Sequence, residues 1–208
     1  MKPWLFDILA CPIDKHFPLN LYIFSFETET EEFTNFLKIY ENQELENIKN
    51  ENIIEISRKN DELYLKDNVI IEKTPMKTYL KLIISSIGEF DNIFDKTSND
   101  LSKNCFQIAK SQIKSKLSDF YDKMDSDLIE DILPELYFLN KLKIETEIDS
   151  GLLYCKKCNR WYPIIDTIPH MLPDEYRDEE KEIKFLKTIK NLLDDEFFNQ
   201  DLKPLNTN

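Results

Sequence analysis

Two cysteines separated by two residues, Cys155 and Cys158, sit in the run Tyr154-Cys155-Lys156-Lys157-Cys158-Asn159-Arg160-Trp161-Tyr162-Pro163. No other stretch constrains the fold as strongly. A C-x-x-C turn lets both sulfurs face one point, and the aromatic residues on either side favour strands, so the run reads as a zinc knuckle on a β-hairpin. One such pair is half of a tetrahedral site. The sequence offers the other half in Cys11-Pro12-Ile13-Asp14-Lys15-His16, almost the whole chain away. If the two ends meet around one metal, everything between them is an insertion.

Cys11 then supplies the third ligand, and two residues compete to be the fourth. His16 lies five positions after Cys11, and imidazole binds zinc well. Asp14 lies where the second cysteine of a C-x-x-C would fall, and carboxylates bind zinc too. The reading favours His16, so the expected set is Cys11, His16, Cys155 and Cys158. Four protein ligands close the site, which makes the zinc structural rather than catalytic. His170, between Pro169 and Met171, is expected at a surface or interface. Cys105 falls in an apolar helical stripe and is expected to be a buried small hydrophobe.

The four cysteines could instead form two disulfides. However, Asp7 interrupts the short apolar run near residue 1, unlike a secretory segment, and no apolar run reaches the ~20 residues of a membrane span. The expected setting is therefore the reducing cytoplasm, away from membranes, where a C-x-x-C reads as metal-binding or redox. A thioredoxin-type pair would open a helix, and the strands expected here favour zinc.

Periodicity predicts an α+β chain. A short helix over 3–10 delivers Cys11, a strand runs over 18–26, and Phe33, Phe36, Leu37 and Tyr40 recur at helical spacing. Residues 43–50 are polar and read as a loop. Ile53–Ile56 and Leu63–Leu65 read as a hairpin, with Val69-Ile70-Ile71 as a third strand. Helical stripes follow, one from Leu80 to Phe94 and one from Cys105 to Met124. Ile144–Ile148 alternates as a strand, with Gly151 suited to a turn or bulge. Asp174 caps a final helix. The expected divisions are a zinc-binding β domain of residues 1–26 with 144–173, a mainly helical insert of 27–143, and a C-terminal helix over 174–199.

Composition removes several functions. Only two glycines occur among 208 residues, and no Walker or dinucleotide fingerprint is present, which excludes the commonest nucleotide-dependent enzymes. A net charge of −13 opposes unaided nucleic-acid binding, which normally shows a basic footprint. No carboxylate pair is singled out, and nothing places Cys105 near a histidine. The chain is not expected to be an enzyme.

Residues 1–19, with Ile8-Leu9-Ala10-Cys11-Pro12 and Pro18-Leu19, and residues 151–173, with Cys155-Lys156-Lys157-Cys158, Tyr162-Pro163-Ile164 and Ile168-Pro169, resemble the zinc-ribbon activator subunits of class I methyltransferases. That family is named after subunit 112 of a tRNA methyltransferase. The resemblance implies one zinc-binding domain made by both termini, a helical insert and no chemistry of its own. It implies partners too: S-adenosylmethionine-dependent methyltransferases that modify tRNA, a release factor or ribosomal RNA, bound as a heterodimer through strand pairing. On that basis Ile165, Ile168, Pro169, Met171 and Leu172, in a segment too apolar for an ordinary loop, are the expected partner-binding residues. The sequence departs from the family pattern in having Asp14 and His16 where relatives often carry a second cysteine, and Thr167 where glycine is common. The alternative is a stand-alone zinc-ribbon adaptor that touches nucleic acid, for which the knuckle offers Lys156, Lys157 and Arg160.

Overall fold

The computed structural model describes residues 1–60 and 62–205. It is α+β. In chain order it runs α1 (Pro3–Phe6), β1 (Asn20–Phe26), α2 (Thr30–Glu41), α3 (Leu45–Glu51), β2 (Glu55–Lys59), β3 (Glu62–Lys66), β4 (Thr74–Pro75) and α4 (Met76–Gly88). There follow β5 (Ile93–Asp95), α5 (Asp100–Ile108), α6 (Lys114–Lys123), α7 (Leu133–Asn140), β6 (Ile148–Cys155), β7 (Arg160–Ile165), β8 (Ile168–Pro169), α8 (Glu179–Thr188) and α9 (Asp195–Phe198). Two compact units result. The first comprises Met1–Glu27, Asn92–Ser98 and the described residues from Glu147 onward, and the second comprises Thr28–Asp91 and Asn99–Thr146.

The first unit is built on a five-stranded sheet in the order β5-β1-β6-β7-β8. Strand β5 runs parallel to β1, and the other neighbours are antiparallel. Side chains alternate between faces along each strand. Tyr22 and Phe24 of β1, Leu152 and Tyr154 of β6, and Trp161 and Ile165 of β7 share a cluster with Phe185, Leu186, Ile189, Leu193 and Phe197 from the C-terminal helices. Each fully buried aromatic or leucine there contributes about 1.5–3 kcal/mol, so the C-terminal segment is part of the unit's core. On the opposite face, Leu153, Cys155, Tyr162 and Ile164 are also buried.

Gly151 is inside β6 rather than at a turn. It pairs with Ile23 on one side and Ile164 on the other, and a Cβ at this position would lie 2.8 Å from the Tyr22 carbonyl oxygen. The outer edge of β7 is covered along its length by the chain itself. Ile168 and Pro169 pair with Ile165 and Ile164, and the His170 N–H donates to the Pro163 carbonyl (2.8 Å). Further along, the Lys203 N–H donates to the Asn159 carbonyl (3.0 Å), while the Trp161 N–H donates to that of Lys203 (3.4 Å).

The β7–β8 turn places both Asp166 (φ 48°) and Thr167 (φ 66°) in the left-handed region, as a two-residue type I′ hairpin turn requires. A β-branched residue is costly there. Replacing Thr167 with glycine is expected to raise the unit's stability by about 0.5–1 kcal/mol, the relief being partly offset by the freer unfolded chain. Denaturant midpoints of the two proteins measure it, and an unchanged or lower midpoint would refute the strain.

Several elements of both units differ from the sequence reading. Residues 45–51 form a helix because Ile48 is buried beneath an otherwise polar turn. The third strand is β4, not 69–71: the buried Asp67 carboxylate accepts from the Val69 and Ile70 N–H groups, from Tyr79 Oη and from Asn140 Nδ2, which turns the chain there. Phe94 leaves the helical stripe to enter β5, in the first unit. Lys141–Glu145 extends α7 as a wide helical turn, so β6 begins at Ile148 rather than at Ile144. The C-terminal helix is broken: a short turn at Asp174–Tyr176 precedes α8, which Asp178 caps by accepting from the Lys181 N–H, and α9 starts afresh after Asp194.

Candidate metal centre

Two loops of equal length bring the donors together. Cys155 ends β6 and pairs across the hairpin with Arg160, which begins β7, and Asn159 between them adopts φ 56°. The N-terminal loop repeats this plan. The Cys11 N–H donates to the His16 carbonyl (3.0 Å), the Lys15 N–H donates to the Cys11 carbonyl (2.9 Å), and Lys15 adopts φ 59°. Cys11 thus matches Cys155, Lys15 matches Asn159 and His16 matches Arg160. Asp14 takes the place of Cys158.

The donor atoms of Cys11, Asp14, Cys155 and Cys158 all lie within 4.8 Å of one another. Cys11 Sγ is 3.7 Å from Cys158 Sγ, and Cys155 Sγ is 3.6 Å from Asp14 Oδ1. A tetrahedral metal with bonds of about 2.3 Å to sulfur sets sulfurs about 3.8 Å apart, so these residues fit a four-coordinate ion. His16 is not in this group. Its backbone N–H instead donates to Asp14 Oδ1 (3.0 Å) and orients that carboxylate. The structural equivalence of the loops explains the choice, since a residue five positions after the first cysteine pairs with it across the hairpin while the residue three positions after it faces the same point.

Electrostatics at the site are set by burial and by neighbouring donors. Burial pushes the Cys155 thiol up to about 12, against the N–H groups of Cys158 and Lys157, which favour its thiolate. Burial also raises Asp14, but hydrogen bonds from the His16 N–H and from the cysteine thiols outweigh it and hold the carboxyl below its usual range. Tyr162 Oη lies 3.3 Å from Cys11 Sγ, and burial followed by that contact raises the phenol. Arg160 hydrogen-bonds Asp174 (2.8 Å), and that carboxylate, followed by the Cys158 side chain, raises its guanidinium.

The other residues singled out in the sequence fall elsewhere. Cys105 is buried in α5, and burial pushes its thiol up to about 12. His170 is half-buried beside Pro163. Ile168 and Leu172 are 59% and 43% exposed, whereas Pro169 and Met171 are half-buried. Ile165 packs against the core made with the C-terminal helices. Lys156 and Lys157 are exposed, but Arg160 is engaged by Asp174 (2.8 Å). Among the described residues no helix is long and apolar enough to cross a membrane. Contacts of the knuckle with Asp174 and Arg177 were not readable in the sequence, because they join residues that only the tertiary fold brings together.

Comparison with known proteins gives two matches of use. A model of the family described as Trm112p-like protein matches residues 2–166, which include both loops. The multifunctional methyltransferase subunit trm112 of Schizosaccharomyces pombe is 31% identical over 77 residues, which are 37% of this chain and 56% of that relative. The chain thus spans little more than half the length of the curated relative it matches. No solved structure matches it.

Proposed function

The chain belongs to the Trm112p-like family, and we propose that it is a non-catalytic subunit that binds, stabilises and activates S-adenosylmethionine-dependent methyltransferases of the class I type. Their substrates are components of the translation machinery: tRNA, a release factor or ribosomal RNA. The observation that carries this reading is the family match across both metal-binding loops. The name of the Schizosaccharomyces pombe relative, a methyltransferase subunit, supports it.

Cys11, Asp14, Cys155 and Cys158 hold one structural zinc in this reading. Four protein ligands leave no open position for substrate, so the ion's contribution is to fix the two loops against each other. The terminal residues form the partner-facing unit, and the middle of the chain is an insertion. Ile168 and Leu172, large apolar side chains exposed beside the edge strand β8, suit a partner that adds a strand and takes those side chains into pockets. The partner gains order and solubility by covering its own apolar surface.

A pull-down from native extract, read by mass spectrometry, tests the assignment and should return at least one S-adenosylmethionine-dependent methyltransferase. Salt-sensitive tRNA binding by the purified chain alone, with no methyltransferase recovered, would favour a nucleic-acid adaptor instead. The double variant Ile168→Asp with Met171→Asp should lose co-purification, because a buried unpaired charge costs several kcal/mol. It should melt close to the parent, since Ile168 is mostly solvated. Loss of the chain's own melting transition would mean that these side chains hold the subunit together rather than a partner.

A further inference from the structure

The segment from Asp174 to Leu205 lies beyond the residues matched by the family, 2–166, yet it grips the metal-binding loops at three points. Asp174 Oδ2 accepts from Arg160 Nη2 (2.8 Å) and Nε (3.1 Å), and Arg160 follows Cys158 by two residues at the start of β7. The Arg177 guanidinium, whose side chain is 1% exposed, lies 4.7 Å from the Trp161 ring centre and 5.4 Å from that of Tyr162, the residue whose hydroxyl meets Cys11 Sγ. Arg177 is itself held by Glu182 of α8, with Nε to Oε1 at 3.0 Å. At the third point Lys203 brackets the loop through Asn159 and Trp161, and the Tyr154 hydroxyl links Asn159 to Gln200.

Three thiolates and a carboxylate around a divalent ion carry a net charge of about −2, in a chain that is already −13. Such a centre needs donors directed at its sulfurs: Tyr162 Oη already lies 3.3 Å from Cys11 Sγ, and Arg160, aligned by Asp174 two residues after Cys158, is the cation beside the second loop. Both are held in place by the C-terminal segment. We propose that residues Asp174–Leu205 act as a clasp on the metal centre: by fixing Arg160 beside the second loop and Tyr162 as an outer hydrogen-bond donor to Cys11, they make metal retention and docking of the segment stabilise each other. This rests on the metal-binding reading above. Such coupling is reciprocal by necessity, so zinc must tighten the segment as much as the segment tightens zinc.

The test uses the full zinc-loaded chain in competition with a colorimetric chelator at fixed pH. Tyr162→Phe removes only the hydroxyl, and Asp174→Asn only the charge that aligns Arg160. Each should weaken zinc binding about 10-fold, the usual loss for an outer partner. If Tyr162→Phe folds poorly, the half-exposed Asp174→Asn carries the test. Leu136→Ala, a core truncation in the second unit, controls for lost stability and should leave zinc affinity within about twofold of the parent. Zinc removal and Asp174→Asn should also speed hydrogen exchange at the Trp161 and Lys203 amides. Variants that hold zinc as tightly as the parent, or a Leu136→Ala effect of equal size, would overturn the clasp. A parent chain that binds no zinc would overturn the metal reading with it.

Discussion

Stripped of zinc by a strong chelator, or carrying Cys158→Ser, the chain should melt at least about 10 °C lower, the loss being confined to the first unit. Structural zinc in small domains contributes about 10–16 kcal/mol of apparent binding free energy near neutral pH, comparable with the whole stability of a domain. Here the sheet also has the core it shares with the C-terminal helices, so a lowered melting point rather than complete unfolding is expected. Exchange protection should fall around Cys11 to His16 and Cys155 to Arg160 while α4 to α7 stay protected. The ligand set can be read in the same experiment. Asp14→Ala should release zinc and His16→Ala should retain it, because the histidine supplies a backbone N–H that survives the substitution. Zinc displaces thiol protons, so affinity should fall steeply as pH drops, by up to about tenfold per pH unit for each proton displaced. A chain that melts identically with and without chelator would remove the metal from the account.

Gly151→Ala should cost about 2–3 kcal/mol, and Gly151→Val more. The added Cβ would meet the Tyr22 carbonyl oxygen at 2.8 Å and Ile164 Cδ1 at 3.1 Å. The first of these is backbone, and it cannot rotate away as a side-chain tip would. Strand β6 is paired on both sides, with β1 and β7, so relief requires opening one ladder or the other. The denaturant midpoint of the alanine variant decides the matter, and a shift smaller than that of a surface substitution would show that the sheet yields. Because Cys155 ends the same strand, zinc binding should weaken alongside.

What the sequence made legible was the part governed by local rules. The spacing of Cys155 and Cys158 announced one loop, and Cys11 announced the other, since a half-site requires a complement. The fourth position shows where residue identity and backbone geometry point to different residues. Histidine is the better-known zinc ligand and the expected one, yet Asp14 stands at the same offset from Cys11 as Cys158 does from Cys155, and it is Asp14 that the fold groups with the three cysteines. Longer-range features left no local trace. Ile93–Asp95 is too short for its alternation to separate it from the preceding helical stripe, although it completes the sheet beside β1. Ile144–Ile148 alternates like a strand, but the helix before it continues through Glu145 and takes Ile144 and Glu145, leaving β6 to begin at Ile148. The apolar repeat from Ile183 to Phe197 reads as one helix, and only the second cap at Asp194 marks the restart.

A strand edge is a template for any other strand, including one from a second copy of the same chain. By laying residues 168–170 and Lys203 along the outer side of β7, the protein withdraws its longest such template from circulation. The sheet ends instead in β8, two residues long and bearing Pro169, and in the three-residue β5. A strand visiting this sheet must make do with a few main-chain hydrogen bonds, too few to hold an arbitrary sequence. Selectivity among strands that approach this sheet then passes to the side chains around that short edge.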